Sequence, residues 1–195
     1  MSKIALFFGS FNPIHNGHLI LANYIAEYAG VDEVRFVVSP QNPFKKDRSL
    51  MDDCLRLSMA QKAIEGYPKF SVSDVEFTMP KPSYTCQTLQ WFSEKNPEDE
   101  FLLIMGGDNL PTFDKWKNAE WIAAHYKILV YPRPGESLSV PEQWENAVTL
   151  LRDAPLLDIS STRVRRAKKE GRDLRFFLPK EVWNMMENVD FTEVD

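Results

Sequence analysis

Ile4-Ala5-Leu6-Phe7-Phe8 runs directly into Gly9-Ser10-Phe11-Asn12-Pro13-Ile14-His15-Asn16-Gly17-His18. A buried strand that opens into a turn of small residues and then a helix is how proteins hold phosphate, and here two histidines stand where the phosphate would lie. Gly9 lets the backbone approach a ligand closely, Ser10 offers a hydroxyl and an N–H, and Pro13 fixes the turn before a helix that Gly17 or His18 begins. The helix start then supplies unpaired N–H groups and the positive end of its dipole. His15 and His18, three residues apart, can face the same volume and donate hydrogen bonds to phosphate oxygens; protonated, they would add positive charge.

Working outward from this stretch, short and nearly continuous apolar runs recur at 34–38, 101–105 and 127–131. Helical patterns lie near 17–29, 50–65, 85–95 and 118–124. Continuous apolar strands alternating with helices predict a doubly wound parallel α/β sheet with right-handed crossovers. A further short strand is expected within 70–77, and 147–151 could form another. Beyond Pro132, Pro134 and Pro141 the pattern changes. Ser160 or Ser161 starts a helix, and Pro179 permits another through Val182, Trp183 and Met186. The expected organisation is a single domain over 1–195, with 160–190 as a small C-terminal helical appendage and 191–195 a frayed tail. In such sheets the ligand sits beyond the carboxyl ends of the strands, where strand order reverses.

With 195 residues, 44% hydrophobic and 26% charged, the chain has the composition of an ordinary globular protein, and no apolar run approaches a membrane span. The start, Met1-Ser2-Lys3, lacks the longer apolar segment of a secretory signal, so a cytoplasmic location is expected. Cys54 and Cys86 have no metal-site spacing and are expected as ordinary helix or core residues. A net charge of −5 argues against broad nucleic-acid binding. Basic residues nevertheless cluster at Lys45, Lys46 and Arg48, and again at Arg163, Arg165, Arg166, Lys168, Lys169, Arg172 and Arg175, which suits a small polyanion bound at one place. The outward members of the second cluster are expected on a solvated helix face.

Several familiar readings of the histidine turn fail. His15 and His18 lack the i, i+4 spacing of a zinc-binding helix and have no carboxylate or cysteine within the motif, so no protein metal site is expected. A P-loop and the glycine-rich dinucleotide fingerprint are both absent. A second anion-binding start does occur at Ile159-Ser160-Ser161-Thr162-Arg163-Val164-Arg165. Ser160, Ser161 and Thr162 are N-cap residue types, and Arg165 can reach a phosphate from the first turn.

Together these two stretches resemble the H-x-G-H and I-S-S-T-x-x-R signatures of the nicotinate mononucleotide adenylyltransferases, in the nucleotidyltransferase superfamily related to class I aminoacyl-tRNA synthetases. They stand in the right order about 140 residues apart, and the resemblance covers nearly the whole chain. It implies an ATP site built from Gly9, Ser10, Phe11, Gly17, Gly106, Asp108, Arg133, Ser160, Ser161, Thr162 and Arg165. The G-x-D of the family, here Gly106-Gly107-Asp108, contacts the ribose and base region, and Arg133 matches an arginine near the adenine side. For the acceptor, Ser83-Tyr84-Thr85-Cys86-Gln87-Thr88-Leu89 resembles the family's S-Y-T-x-x-T-L, whose tyrosine and threonine region faces the pyridine carboxylate. Trp116 matches a tryptophan that stacks on the pyridine ring. The implied mononucleotide site is Ser10, Asn42, Lys46, Tyr84, Thr85 and Trp116. Where the family carries P-P-H-K this chain has Pro40-Gln41-Asn42-Pro43-Phe44-Lys45-Lys46, without the histidine, and Lys46 is preferred to Lys45 as the phosphate-reaching lysine. Asn12 stands where many relatives have aspartate, which makes it a poor metal ligand.

The implied reaction is adenylyl transfer from ATP to nicotinate mononucleotide, giving deamido-NAD and pyrophosphate. His15, His18, Lys46 and Arg165 carry the catalysis, and Mg2+ accompanies ATP. Its rivals are an adenylyl- or cytidylyltransferase with another phosphorylated acceptor, such as phosphopantetheine or nicotinamide mononucleotide, and a non-catalytic nucleotide-binding sensor. The sequence leaves the oligomeric state open.

Overall fold

A computed structural model of the chain describes residues 1–40, 50–135 and 139–189. Strand β1 (Lys3–Gly9) lies inside a sheet with β2 (Glu33–Val38), β3 (Phe70–Ser73), β4 (Glu100–Gly106), β5 (Lys127–Tyr131) and β6 (Val148–Leu150), in the order β3-β2-β1-β4-β5-β6. Every neighbouring pair is parallel; in register, Phe7 of β1 is flanked by Phe36 of β2 and Ile104 of β4. The expected doubly wound α/β architecture is present.

The near-continuous apolar runs hide a period of two. Ala5, Phe7, Val34, Phe36, Val38, Leu102, Ile104 and Leu129 belong to one core, where they meet helices α1 (Asn16–Tyr28) and α2 (Asp53–Ile64). Ile4, Leu6, Val37, Phe101, Leu103, Met105, Ile128 and Val130 belong to a second core with α3 (Thr85–Lys95) and α4 (Ala119–His125). Successive side chains point to opposite faces, so a strand covered on both sides must be apolar throughout.

Helices α1, α2 and one beyond β6 start where a side chain satisfies one of their first N–H groups. Asp52 caps α2 by accepting from Leu55 N at 3.0 Å, which places the helix start at Asp53 rather than at 50. Ser160 caps α5 (Ser161–Lys169) by accepting from Arg163 N at 3.2 Å, so Ser161 is the first helical residue. The strand expected within 70–77 ends at Ser73, and a 3-10 turn, Val75–Thr78, follows Asp74. Between β4 and α4 the sequence reading had no element, yet Gly107–Lys115 forms a 3-10 helix with Pro111 inside it. Cys54 is exposed on α2 and Cys86 is buried on α3. No described helix is long and apolar enough to cross a membrane.

The C-terminal helix α6 (Lys180–Met185) sits against α2, and Val182 and Met186 are fully buried in the core shared with α1 and α2. The appendage is therefore packed into one face of the sheet structure. Met186→Ala is expected to cost about 2–5 kcal/mol, the range for truncating a buried methionine. The measurement is the urea midpoint at unchanged slope. A superimposable curve would mean that this segment adds nothing to the main core.

Candidate functional site

Strands β1 and β4 are neighbours, but the chain leaves them toward opposite edges of the sheet. A cleft of about 590 Å³ opens at their carboxyl ends, between Gly9 and Gly106. Three helix starts border it, because His15 and His18 at α1, Thr85 at α3, and Ser160, Ser161 and Thr162 at α5 all line its wall. Unpaired N–H groups and positive dipole ends thus converge on one volume, as binding of a polyanion requires.

The two histidines cap their own helix. His18 N donates to His15 Nδ1 at 3.3 Å, and His15 N donates to His18 Nδ1 at 3.2 Å. This is a capping box in which imidazoles replace the usual hydroxyl and carboxylate. The rings stack at 3.6 Å between centroids and 19° between planes, while His18 also meets the Phe11 ring edge-on at 5.1 Å. An Nδ1 that accepts from a backbone N–H carries no proton, so the hydrogen-bond geometry assigns both neutral rings the Nε2–H tautomer. Burial, reinforced by the Arg133 charge, lowers the His15 imidazole from 6.5 to about 3. The expectation that a protonated His15 adds charge is therefore replaced: at neutral pH His15 is an uncharged donor.

The two sequence motifs are clasped to each other. Ser161 Oγ donates to Pro13 O at 2.9 Å and Arg165 Nη1 donates to Asn12 O at 2.8 Å, so the start of α5 holds the turn before α1. Arg165 lines the cleft but is almost fully buried, and its guanidinium has this anchoring duty as well as any contact with phosphate. The outward members of the basic cluster form surface pairs, Arg163 with Asp158, Arg166 and Arg172 with Glu170, and Arg175 with Asp173. They belong to a solvated face.

Trp116 also lines the cleft, with its indole against Phe113 at 5.5 Å between ring centroids. Asp108 and Arg133 also line it and pair with each other at 3.4 Å. Gly106 lies against this pair, where a Cβ would collide with the Asp108 carboxylate and come within 3.2 Å of the Arg133 Nε and the Tyr131 hydroxyl. A Cβ on Gly17 would meet the His15 ring at 3.0 Å.

Of the residues expected from sequence, the cleft gathers Gly9, Ser10, Phe11, His15, His18, Thr85, Gly106, Asp108, Trp116, Arg133, Ser160, Ser161, Thr162 and Arg165. Gly17 lines an adjoining recess of about 30 Å³, shared with Arg133 and Ile159. Tyr84 lines neither; it is the residue before α3, with Lys117 Nζ 4.2 Å above its ring. Asn42, Lys45 and Lys46 lie outside the described residues.

The cytidylyltransferase-like family profile matches residues 6–167. A "Probable nicotinate-nucleotide adenylyltransferase" of Cytophaga hutchinsonii is 52% identical over 92% of this chain and 93% of its own length. One of Bacteroides fragilis, with the same name, is 50% identical over 93% and 90%. The chain belongs to the nicotinate-nucleotide adenylyltransferase family. Its fold is also that of the Plasmodium falciparum nicotinic acid mononucleotide adenylyltransferase solved with NaAD, at a TM-score of 0.78 and 18% identity over 95% of both chains. The structure of that enzyme with APC gives a TM-score of 0.77 over 95% of this chain and 94% of the other.

Within this member of the family, two residues beside the cleft escaped the sequence reading. Arg56 on α2 is fully buried: Nη1 donates to Ser10 O and, at 3.0 Å, to Ser39 O, Nε donates to Met51 O at 3.0 Å, and Nη2 pairs with Asp53. It gathers the ends of β1 and β2 and the segment entering α2. The available signal was its place with Met59 and Ala60, at i, i+3 and i+4, on the buried stripe of the helix. The second is Glu76, a buried carboxylate in the cleft wall.

Two predictions test this geometry. Gly17→Ala, which crowds the His15 ring, is expected to lower kcat about tenfold or more with little change in thermal midpoint, since misplacing a donor costs rate steeply. The second concerns pH. The unfolded chain protonates His15 near 6.5 but the folded chain only near 3, so the stability from neutral His15 is complete above about 6.5 and is lost as pH falls toward 3. Asn keeps a capping acceptor without the titration. His15→Asn is expected to show a shallower loss of stability than the parent between pH 6.5 and 4, by up to about 1.4 kcal/mol per pH unit in urea titrations. Parallel curves would refute the depressed imidazole.

Proposed function

We propose that the chain transfers the adenylyl group of ATP to nicotinate mononucleotide, forming nicotinate adenine dinucleotide (deamido-NAD) and pyrophosphate in NAD biosynthesis. An oxygen of the mononucleotide 5′-phosphate attacks the α-phosphorus of ATP, the bond from that phosphorus to the bridging oxygen breaks, and pyrophosphate leaves with the bonding pair. The nucleophile is already an anion, so no base is needed and catalysis consists of positioning and charge stabilisation. The observation that carries the reading is the reciprocal histidine cap, which leaves two uncharged Nε2–H donors beside the N-terminus of α1. Such donors stabilise charge that builds on the α-phosphate and its leaving oxygen without demanding a proton transfer.

Ser160, Ser161, Thr162 and Arg165 are assigned to the triphosphate, with Lys46 as a further phosphate contact and Gly9, Ser10, Phe11 and Gly17 holding the backbone close to it. Asp108 and Arg133 take the adenosine side at Gly106. Trp116 stacks on the pyridine ring and Thr85, at the start of α3 and next to Tyr84, takes its carboxylate; Asn42 completes the acceptor side. Among the described residues no three His, Cys, Asp or Glu side chains converge as a metal cage. The hydroxyls, imidazoles and guanidinia of the cleft suit phosphate oxygens, and magnesium bound with ATP would neutralise part of the polyphosphate charge beside them. The core shared by α1, α2 and α6 supports reading 1–195 as one unit. The cytoplasm, where ATP and mononucleotides are at hand, is the proposed location.

Pyrophosphate release, measured with ATP against a panel of phosphorylated acceptors, tests the activity; release with every acceptor except nicotinate mononucleotide overturns it. His18→Ala is expected to lower kcat about 10²- to 10³-fold, the usual effect of removing a transition-state donor. Unchanged kcat with a raised KM for ATP would reduce His18 to a binding residue. The parent enzyme is expected to prefer nicotinate over nicotinamide mononucleotide in kcat/KM. Equal values would remove the carboxylate site from α3.

A further inference from the structure

Glu76 sits in the 3-10 turn Val75–Thr78 after β3, with its side chain 2% exposed in the cleft wall. Oε2 accepts from Ser83 Oγ at 2.8 Å and Oε1 accepts from Thr88 Oγ1 at 2.8 Å. Among the described residues the carboxylate has no ion-pair partner. A buried anion balanced by two neutral hydroxyls is a costly arrangement, and mere filling of space would be met by an apolar residue.

The two hydroxyls bracket one place. Ser83 precedes α3 by two residues, and Thr88 ends its first turn. Gln87 N and Thr88 N turn back to Tyr84 O at 2.9 and 3.3 Å, while helix geometry gives the N–H groups of Thr85 and Cys86 no partner within the helix. Glu76 takes the Ser83 and Thr88 hydroxyl hydrogens, so neither is presented to a ligand. What this end of the cleft offers an anion is the Thr85 hydroxyl and the positive end of the helix dipole, at an angle fixed by the carboxylate behind them.

We propose that Glu76 is a positioning residue for the acceptor: by clamping Ser83 to Thr88 it holds the first turn of α3 where Thr85 meets the pyridine carboxylate. This rests on the nicotinate reading given above. Glu76 touches no reacting atom, and its loss acts on acceptor choice through α3.

The test is steady-state kinetics of Glu76→Ala, Glu76→Gln and Ser83→Ala with ATP and with the nicotinate and nicotinamide mononucleotides. Glu76→Ala is expected to raise KM for nicotinate mononucleotide and to shrink the preference over nicotinamide, each by about tenfold, roughly one charge-assisted hydrogen bond. The KM for ATP should stay within about twofold, because the ATP residues lie on other elements. Glu76→Gln can still bond both hydroxyls, one as acceptor and one as donor, and should recover most of the loss; Ser83→Ala should fall between. Acceptor and ATP KM rising together, or the parent's preference persisting in Glu76→Ala, overturns the proposal. If Glu76→Ala does not fold, Ser83→Ala and Thr88→Val, each cutting one bond, must still lower the preference, and an unaltered preference in both overturns it. A parent enzyme with no preference sinks the nicotinate reading itself, a result distinct from a preference that survives the substitution.

Discussion

Two parallel strands that lie side by side while their connections leave toward opposite edges cannot both be covered at their carboxyl ends. Between β1 and β4 this constraint opens the cleft, and the order β3-β2-β1-β4-β5-β6 makes it the one switch point of the sheet. Right-handed crossovers send α1 and α2 to one face and α3 and α4 to the other. Helices α1 and α3 then bring their positive ends to the cleft from opposite faces, and α5 adds a third. The chemistry sits where the topology leaves backbone donors unsatisfied.

Such donors serve a ligand only if the carbonyls beside them face elsewhere, and two arginines arrange this. Arg56 draws in the carbonyls of Ser10, Ser39 and Met51, while Arg165 draws in that of Asn12. Across a planar trans peptide the N–H opposes the C=O, so the Phe11 N–H points away from Arg56. Phe11 itself holds φ at 42°, a left-handed conformation that a bulky residue adopts at some cost. Its ring is fixed edge-on to Phe7 and Phe36, at 5.7 and 5.5 Å. Carbonyls bound from behind and a ring locked in front hold the turn in place before any ligand arrives.

Much of this was legible in the sequence for physical reasons. A strand buried on both faces has to be apolar throughout, which made β1, β2, β4 and β5 visible, and a helix start that binds anions shows its capping residues, which exposed Gly9 to His18 and Ser160 to Arg165. What stayed hidden were relations between residues far apart. The bond from Ser161 to the Pro13 carbonyl has no local pattern, and the buried stripe of α2 that includes Arg56 does not say which three backbone segments its guanidinium gathers. The 3-10 helix at Gly107–Lys115 has no such signal, because Gly107 and Pro111 are poor helix formers. The histidine pair was read as a pair of phosphate ligands; that each ring accepts the other's backbone N–H depends on side-chain direction, which spacing alone does not give.

That mutual acceptance makes positions 15 and 18 a single unit of inheritance. Changing either residue removes a donor from the cleft and also breaks the bond by which its ring holds the other's backbone N–H, so the loss from one substitution already contains part of the loss from the other. Effects at the two sites should then combine to less than their sum. A lineage that abandoned one histidine would be under little further pressure to keep its partner, and this fold should therefore tend to keep the pair or to rebuild the whole turn.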